Sequence, residues 1–211
     1  MVMDDPSLPV DVALALSRSK LSKDETNTYK LVIYRPVEPL LQVGPQCGIV
    51  ALAMASELGG FSYTVQNIFE KAKELKCTIQ GELFDAHMIP VLCKKFNIEA
   101  KVHRWTKLED LTDYLQSNHV CLMPYDADAN HEPCKRLGHR AHWALIHGYV
   151  KLFPVREENH SDLVLVHHGK SRHVAAWSIR DLYESNLQLN EFKWAIYCYL
   201  TLFFHVNLVA C

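Results

Sequence analysis

Between Cys47 and Leu58 the sequence reads CGIVALAMASEL, with Ile49, Val50, Leu52, Ala53, Met54 and Leu58 apolar almost all round. A helix with no polar face has to be buried on every side. The rest of the chain must therefore supply layers around this one segment. A Gly/Pro-marked turn, VGPQ, leads into it, and Gly59-Gly60 ends it as a C-terminal glycine stop. With 211 residues, 49% of them hydrophobic, the chain can build one substantial core around such a helix.

The flanking periods describe those layers. TVQNIFEKAKEL has helical spacing, and ELFDAHMIPVLCKKF predicts a further helix that Pro90 kinks or divides. The period then changes. EAKVHRW alternates like a strand, KLEDLTDYLQ predicts a short helix and HVCLMPY a strand, followed by a polar loop from about Asp126 to Ala141. HWALIHGYV, DLVLVHH and FKWAIYCYL are apolar runs of strand length, with SIRDLYESN as a helix between the last two. Upstream, YKLVIYR is a candidate short strand, and Pro36 and Pro39 then break any helix. Helices first and strands later predict an α+β fold, N-terminal helices packed on a mainly antiparallel sheet. Residues 1–28 read as a polar, weakly ordered lead, 29–200 as a single domain and 201–211 as a tail of uncertain structure.

Charge and composition exclude several functions. Lys and Arg number 22 against 24 Asp and Glu, so no basic field draws the chain to nucleic acid or an anionic membrane. No run reaches the roughly 18 apolar residues of a membrane span. The N-terminus carries acids where a secretory signal carries bases, and its apolar piece VALAL is short for a signal core. Seven cysteines, an odd number without a C-x-x-C pair, fit a reducing setting, so a cytoplasmic location is expected.

Cys47 then carries two readings. It is a buried core residue, or a nucleophile placed where unsatisfied N–H groups and the helix macrodipole favour the thiolate. Gly48 leaves the backbone N–H open to a substrate carbonyl, as an oxyanion hole requires. A nucleophilic thiol needs a base, and among twelve histidines His142 is best placed, at the passage from loop to strand. His139 is the second choice, and His147 reads as a core histidine within its strand. The group orienting the base stays open among Asn186, His167, His168 and a backbone carbonyl. Gln42 and Gln46 are both candidates for the oxyanion hole, with Gln42 freer to reach across. A competing constellation, His131-x2-Cys134-x4-His139-x2-His142, offers zinc donors at a spacing that matches no standard finger and would consume the base.

Five ordered blocks, GPQCGIVALAMA, GELFDA, PYDADANHEPC, GHRAHWALIHG and HHGKSRHVAAWSIRDLYESN, together resemble the actin maturation protease family, related to the C39-like cysteine peptidases. The resemblance runs from about Leu40 to Asn190. It implies a papain-like cysteine peptidase fold, no cofactor, and a thiol aminopeptidase that removes the N-acetylated first residue, Met or Cys, from immature actin. The family's nucleophile falls on Cys47 and its HW histidine on His142; on physical grounds the Cys47 N–H joins the oxyanion hole, with Gln42 favoured over Gln46 as its partner. Where C39-like peptidases carry Asp in the turn after the next strand, this sequence has HHG. Profilin is implied as a family partner through a proline-rich extension that has no counterpart in these residues. Basic residues flanking the site, Lys135, Arg136, Arg140, Lys170 and Arg172, are candidates to hold the acidic new N-terminus of actin. The rival expectations are a papain-like hydrolase of another peptide or isopeptide bond, and a zinc-stabilised or non-catalytic actin-binding module.

Overall fold

The computed structural model describes residues 8–19, 28–153, 162–189 and 200–205. Its centre is one seven-stranded sheet in which every pairing is antiparallel. The strands are β1 (Thr28–Tyr34), β2 (Ala100–Arg104), β3 (His119–Asp126), β4 (Ala141–Phe153), β5 (Leu163–His167), β6 (Ala175–Ser178) and β7 (Leu200–His205). They run β2-β7-β3-β4-β5-β6, with β1 paired to β4. The 13-residue β4 is the axis. Its first half pairs with β3, from Asp126↔Ala141 to Cys121↔Ile146, and its second half with β1, from Tyr34↔Gly148 to Thr28↔Phe153.

Residues 142–150 of β4 are all buried, which explains the unbroken apolar run in its sequence. A strand reads that way when both faces are covered. On one face α2 (Cys47–Leu58), α3 (Val65–Glu74) and α4 (Met88–Lys94) pack with Val120, Leu122, Trp143 and Leu145. On the other, α5 (Leu108–Gln116) and α6 (Ile179–Asn186) pack with Met123, Tyr125, Ala144 and Ile146. The fold is α+β, as expected.

The all-round apolar helix is where its sequence requires. Every residue of α2 from Gly48 to Ser56 is buried, and the Ser56 hydroxyl donates to Ala53 O at 2.7 Å. Truncating a fully buried member such as Ile49 or Leu52 costs about 2–5 kcal/mol. The helix α3 starts with a reciprocal cap between Thr64 and Asn67. The helix α4 is shorter than expected. It begins at Met88, so Pro90 falls in its first turn, where a missing N–H needs no partner and no kink results.

Three elements differ from the sequence expectation. Residues Val10–Arg18, inside the stretch expected to be polar and weakly ordered, form α1, which buries Val12, Ala15 and Leu16 against Val150, Leu152, Leu163, Leu165 and Val174. The short β6 went unforeseen. The strand expected over FKWAIYCYL lies outside the described residues except at Leu200, where β7 begins and runs into the expected tail. Among the described residues no helix is long and apolar enough to cross a membrane.

Candidate active site

The start of α2 is pressed against the start of β4. A Cβ on Gly48 would stand 3.0 Å from Leu83 Cδ1 and 3.1 Å from Trp143 Cδ1, so a side chain there would press these two neighbours away. The Trp143 indole donates Nε1–H to Leu83 O at 2.8 Å and fixes the third wall. Cys47 keeps part of its surface open, and its sulfur lies against the backbone of Trp143, the residue after His142. Burial pushes the thiol pKa up, while N–H groups of Trp143, Gly48 and Cys47 itself and the Lys170 cation pull it down. The net direction is upward. That corrects the expectation from helix geometry alone: desolvation of the thiolate outweighs the helix terminus.

His142 is the second residue of β4, directly opposite Tyr125 on β3, and is 8% exposed. Its Nε2 lies 2.7 Å from the backbone oxygen of His168. A carbonyl only accepts, so Nε2 carries the proton and Nδ1 the lone pair. Burial pushes the pKa of His142 down to about 4; the bond to His168 opposes this, and the neighbouring His131 and Lys170 add to it. The orienting group is thus a backbone carbonyl. The His168 ring instead stacks on Trp177, with centroids 5.8 Å apart, and His167 stacks on His147 at 5.0 Å. Asn186 is tied elsewhere: its Nδ2 donates to Pro124 O at 2.8 Å and joins α6 to β3.

The same turn holds Gln42. The Gln42 N–H donates to Gly169 O at 2.8 Å, one residue after the carbonyl that holds His142. Gly169 has φ +71°, and a Cβ there would stand 3.3 Å from Val50 Cγ1 and 3.5 Å from Gln42 Oε1. The Gln42 amide donates one hydrogen to Gly44 O at 2.6 Å, leaving its second hydrogen for another acceptor. Gln46 packs against Gly81 instead, its Cγ lying where a Cβ on Gly81 would intrude. The two glutamines therefore diverge, and Gln42 is the one beside the His168–Gly169 turn.

The zinc constellation does not assemble. Among the described residues no three His, Cys, Asp or Glu side chains form a metal-holding group. His131 and His142 are neighbours, with ring centroids 5.7 Å apart, but His139 is exposed in the loop. Of the flanking basic residues, Lys135 is held by Glu184 at 2.6 Å, whereas Lys170 acts electrostatically on Cys47, His131 and His142.

Sequence reasoning missed Asp126. This fully buried carboxylate accepts backbone N–H bonds from Arg136 at 2.6 Å, Gly138 at 3.0 Å and Arg140 at 3.3 Å. It braces the loop that delivers His142. Its only sequence signal was a lone acid ending an apolar strand.

A half-buried cysteine opens a buried helix and a carbonyl-held histidine opens the central strand, on a fold of the C39-like type. The fold superposes on a C39-like peptidase from Bacillus anthracis with TM-score 0.55 at 12% identity, covering 83% of this chain and 97% of that one. The peptidase domain of Streptococcus ComA, a bifunctional ABC transporter of a quorum-sensing pathway, matches with TM-score 0.50 at 16% identity, covering 80% and 97%. The chain belongs to the actin maturation protease-like family, whose C-terminal domain model matches residues 37–150. Its relatives named actin maturation protease include those of Drosophila melanogaster (39% identity, 75% of this chain, 58% of the relative), Xenopus tropicalis (42%, 60% and 44%) and Danio rerio (30%, 85% and 69%). The chain spans about half the length of the first two of these relatives.

Proposed function

We propose that this chain is a cysteine aminopeptidase that removes the N-acetylated first residue, Met or Cys, from immature actin. The observation that carries the reading is that Cys47 lies against the backbone of Trp143, next in sequence to a His142 whose Nε2–H is committed to the His168 carbonyl. That commitment leaves Nδ1 as the basic nitrogen. The names of the relatives support actin as the substrate.

Both pKa directions favour a neutral thiol and a neutral imidazole at rest. Cys47 therefore attacks the carbonyl of the acetylated residue as His142 Nδ1 takes its proton, by general-base catalysis rather than from a standing thiolate. The Cys47 N–H and the free hydrogen of the Gln42 amide stabilise the oxyanion. His142 then protonates the leaving amine, which becomes the new actin N-terminus, and activates water to hydrolyse the thioester. An acetylated substrate has no terminal ammonium, so the site needs no acidic anchor. The nearby Lys170 suits the acidic segment that the cleavage exposes, while Lys135 is already held by Glu184.

The test is incubation with an acetylated actin N-terminal peptide, followed by mass. The expected result is loss of the acetylated residue with this chain and none with Cys47→Ala. Processing by Cys47→Ala would overturn the reading.

A further inference from the structure

Two ring neighbours of His142, His131 and His168, line a cavity of about 310 Å³ whose walls also include Arg18, Lys170 and Trp177. His131 is built into that wall by its backbone. It has φ +63°, a left-handed conformation that histidine adopts more readily than most residues other than glycine. The hairpin that enforces it is fully bonded. Asp128 Oδ1 accepts from Asn130 N at 2.8 Å and Glu132 N at 2.9 Å, and Ala127 bridges Pro133. The Tyr125 hydroxyl donates to His131 O at 2.9 Å from beneath. The result is a half-exposed imidazole with its ring centroid 5.7 Å from that of His142 and 5.7 Å from that of His168.

Among the described residues, the walls of this cavity contain neither α2 nor Gln42 nor His142 itself, and adjoin the site through His131 and His168, the ring neighbours of His142. It lies on the histidine side of the site. In acyl transfer the leaving amine takes its proton from the base. The acyl portion therefore faces Cys47 and Gln42, and the chain beyond the cleaved bond passes along the histidine side. We propose that this cavity is the subsite for the extended peptide downstream of the cleaved bond, and that His131 is the side chain that positions that peptide.

This inference rests on the peptidase reading and deepens it. A neutral imidazole offers one donor and one acceptor, the two functions a peptide main chain presents. Burial, and Lys170 beside it, hold the His131 pKa below its ordinary value, which keeps the ring neutral. The other charged or titratable groups of the wall are Arg18, Glu132, Asp181, His168 and His173, with Lys170 the cation that acts on His142.

The variant to use is His131→Asn, because asparagine tolerates the left-handed backbone while the ring is lost. Binding is measured in the Cys47→Ala background with a labelled actin N-terminal peptide that lacks the first residue. Kd should weaken about three- to tenfold. In the Cys47 protein, hydrolysis of a minimal acetyl-methionine aryl amide, which has no downstream peptide, should fall by a smaller factor than the weakening in Kd, with the melting temperature unchanged. The binding arm needs no turnover, so failure of the peptidase reading would show separately, as absence of cleavage by the Cys47 protein. An unchanged Kd, or an equal loss on the minimal amide, would overturn the subsite.

Discussion

His142 donates its Nε2–H to the backbone carbonyl of His168 at 2.7 Å. A carbonyl fixes the ring and its tautomer as a carboxylate would, but brings no negative charge to stabilise the imidazolium. That difference is consistent with the pKa of His142 being pushed down to about 4 by burial. One residue later, Gly169 O holds the Gln42 backbone, so a single turn holds both His142 and Gln42.

The turn can be separated from the side chains on it. Gly169→Ala puts a Cβ into a left-handed position 3.3 Å from Val50 Cγ1, with an expected cost of about 1–2 kcal/mol in stability. Displacing both bonds should lower kcat/KM more than tenfold on the acetylated peptide. His168→Ala removes only the ring stacked on Trp177 and keeps the carbonyl, so it should retain more activity. Steady-state kinetics beside thermal melts decide this; a more active Gly169→Ala protein would contradict the role given to the turn.

The resting thiol should be slow to alkylate. Cys47 has a raised pKa, so its iodoacetamide reaction at pH 7 should be slow and should climb with pH to above 9. The rate is read by mass, with Cys47→Ala identifying the other cysteines. Fast, pH-independent alkylation between pH 5 and 7 would mean a standing thiolate–imidazolium pair instead.

Acid should destabilise the fold early. His142, His167 and His168 are buried with pKa values near 4, and His147 near 3. The unfolded chain binds these protons near pH 6.5, so stability is intact above that value and is lost as pH falls toward about 4. Each histidine contributes a slope of up to about 1.4 kcal/mol per pH unit. Urea midpoints measured from pH 7.5 to 4.5 should fall through this window. His167→Phe, which removes one titrating ring from the His147 stack, should flatten the fall; an unaltered slope would show that His167 does not contribute.

Asp126 should be worth more than its sequence position suggests. Asp126→Ala leaves the N–H groups of Arg136, Gly138 and Arg140 without their acceptor. The expected loss is about 2–4 kcal/mol, with activity falling because the loop into β4 loosens. A denaturation midpoint equal to that of the parent chain would contradict the bracing role.

Local pattern already determined much of this. The bounds of α2 at Cys47 and Leu58 follow from an apolar run between a turn and a glycine pair, and His142 marks where a polar loop enters an apolar strand. Those signals are contained within a dozen residues each. The order of α1 is different: nine residues are too few to hold a helix in water, and they do so by burying Val12, Ala15 and Leu16 on a sheet built much later in the chain. The His168 carbonyl has no side-chain signature at all. The placement of His131 over His142 exists only once β3 and β4 pair. The thiol is the clearest case. Its position at a helix start is local and favours ionisation, but the desolvation that raises its pKa comes from atoms of β4 and its surroundings. Burial is a property of the packed whole, so only the tertiary structure could decide it.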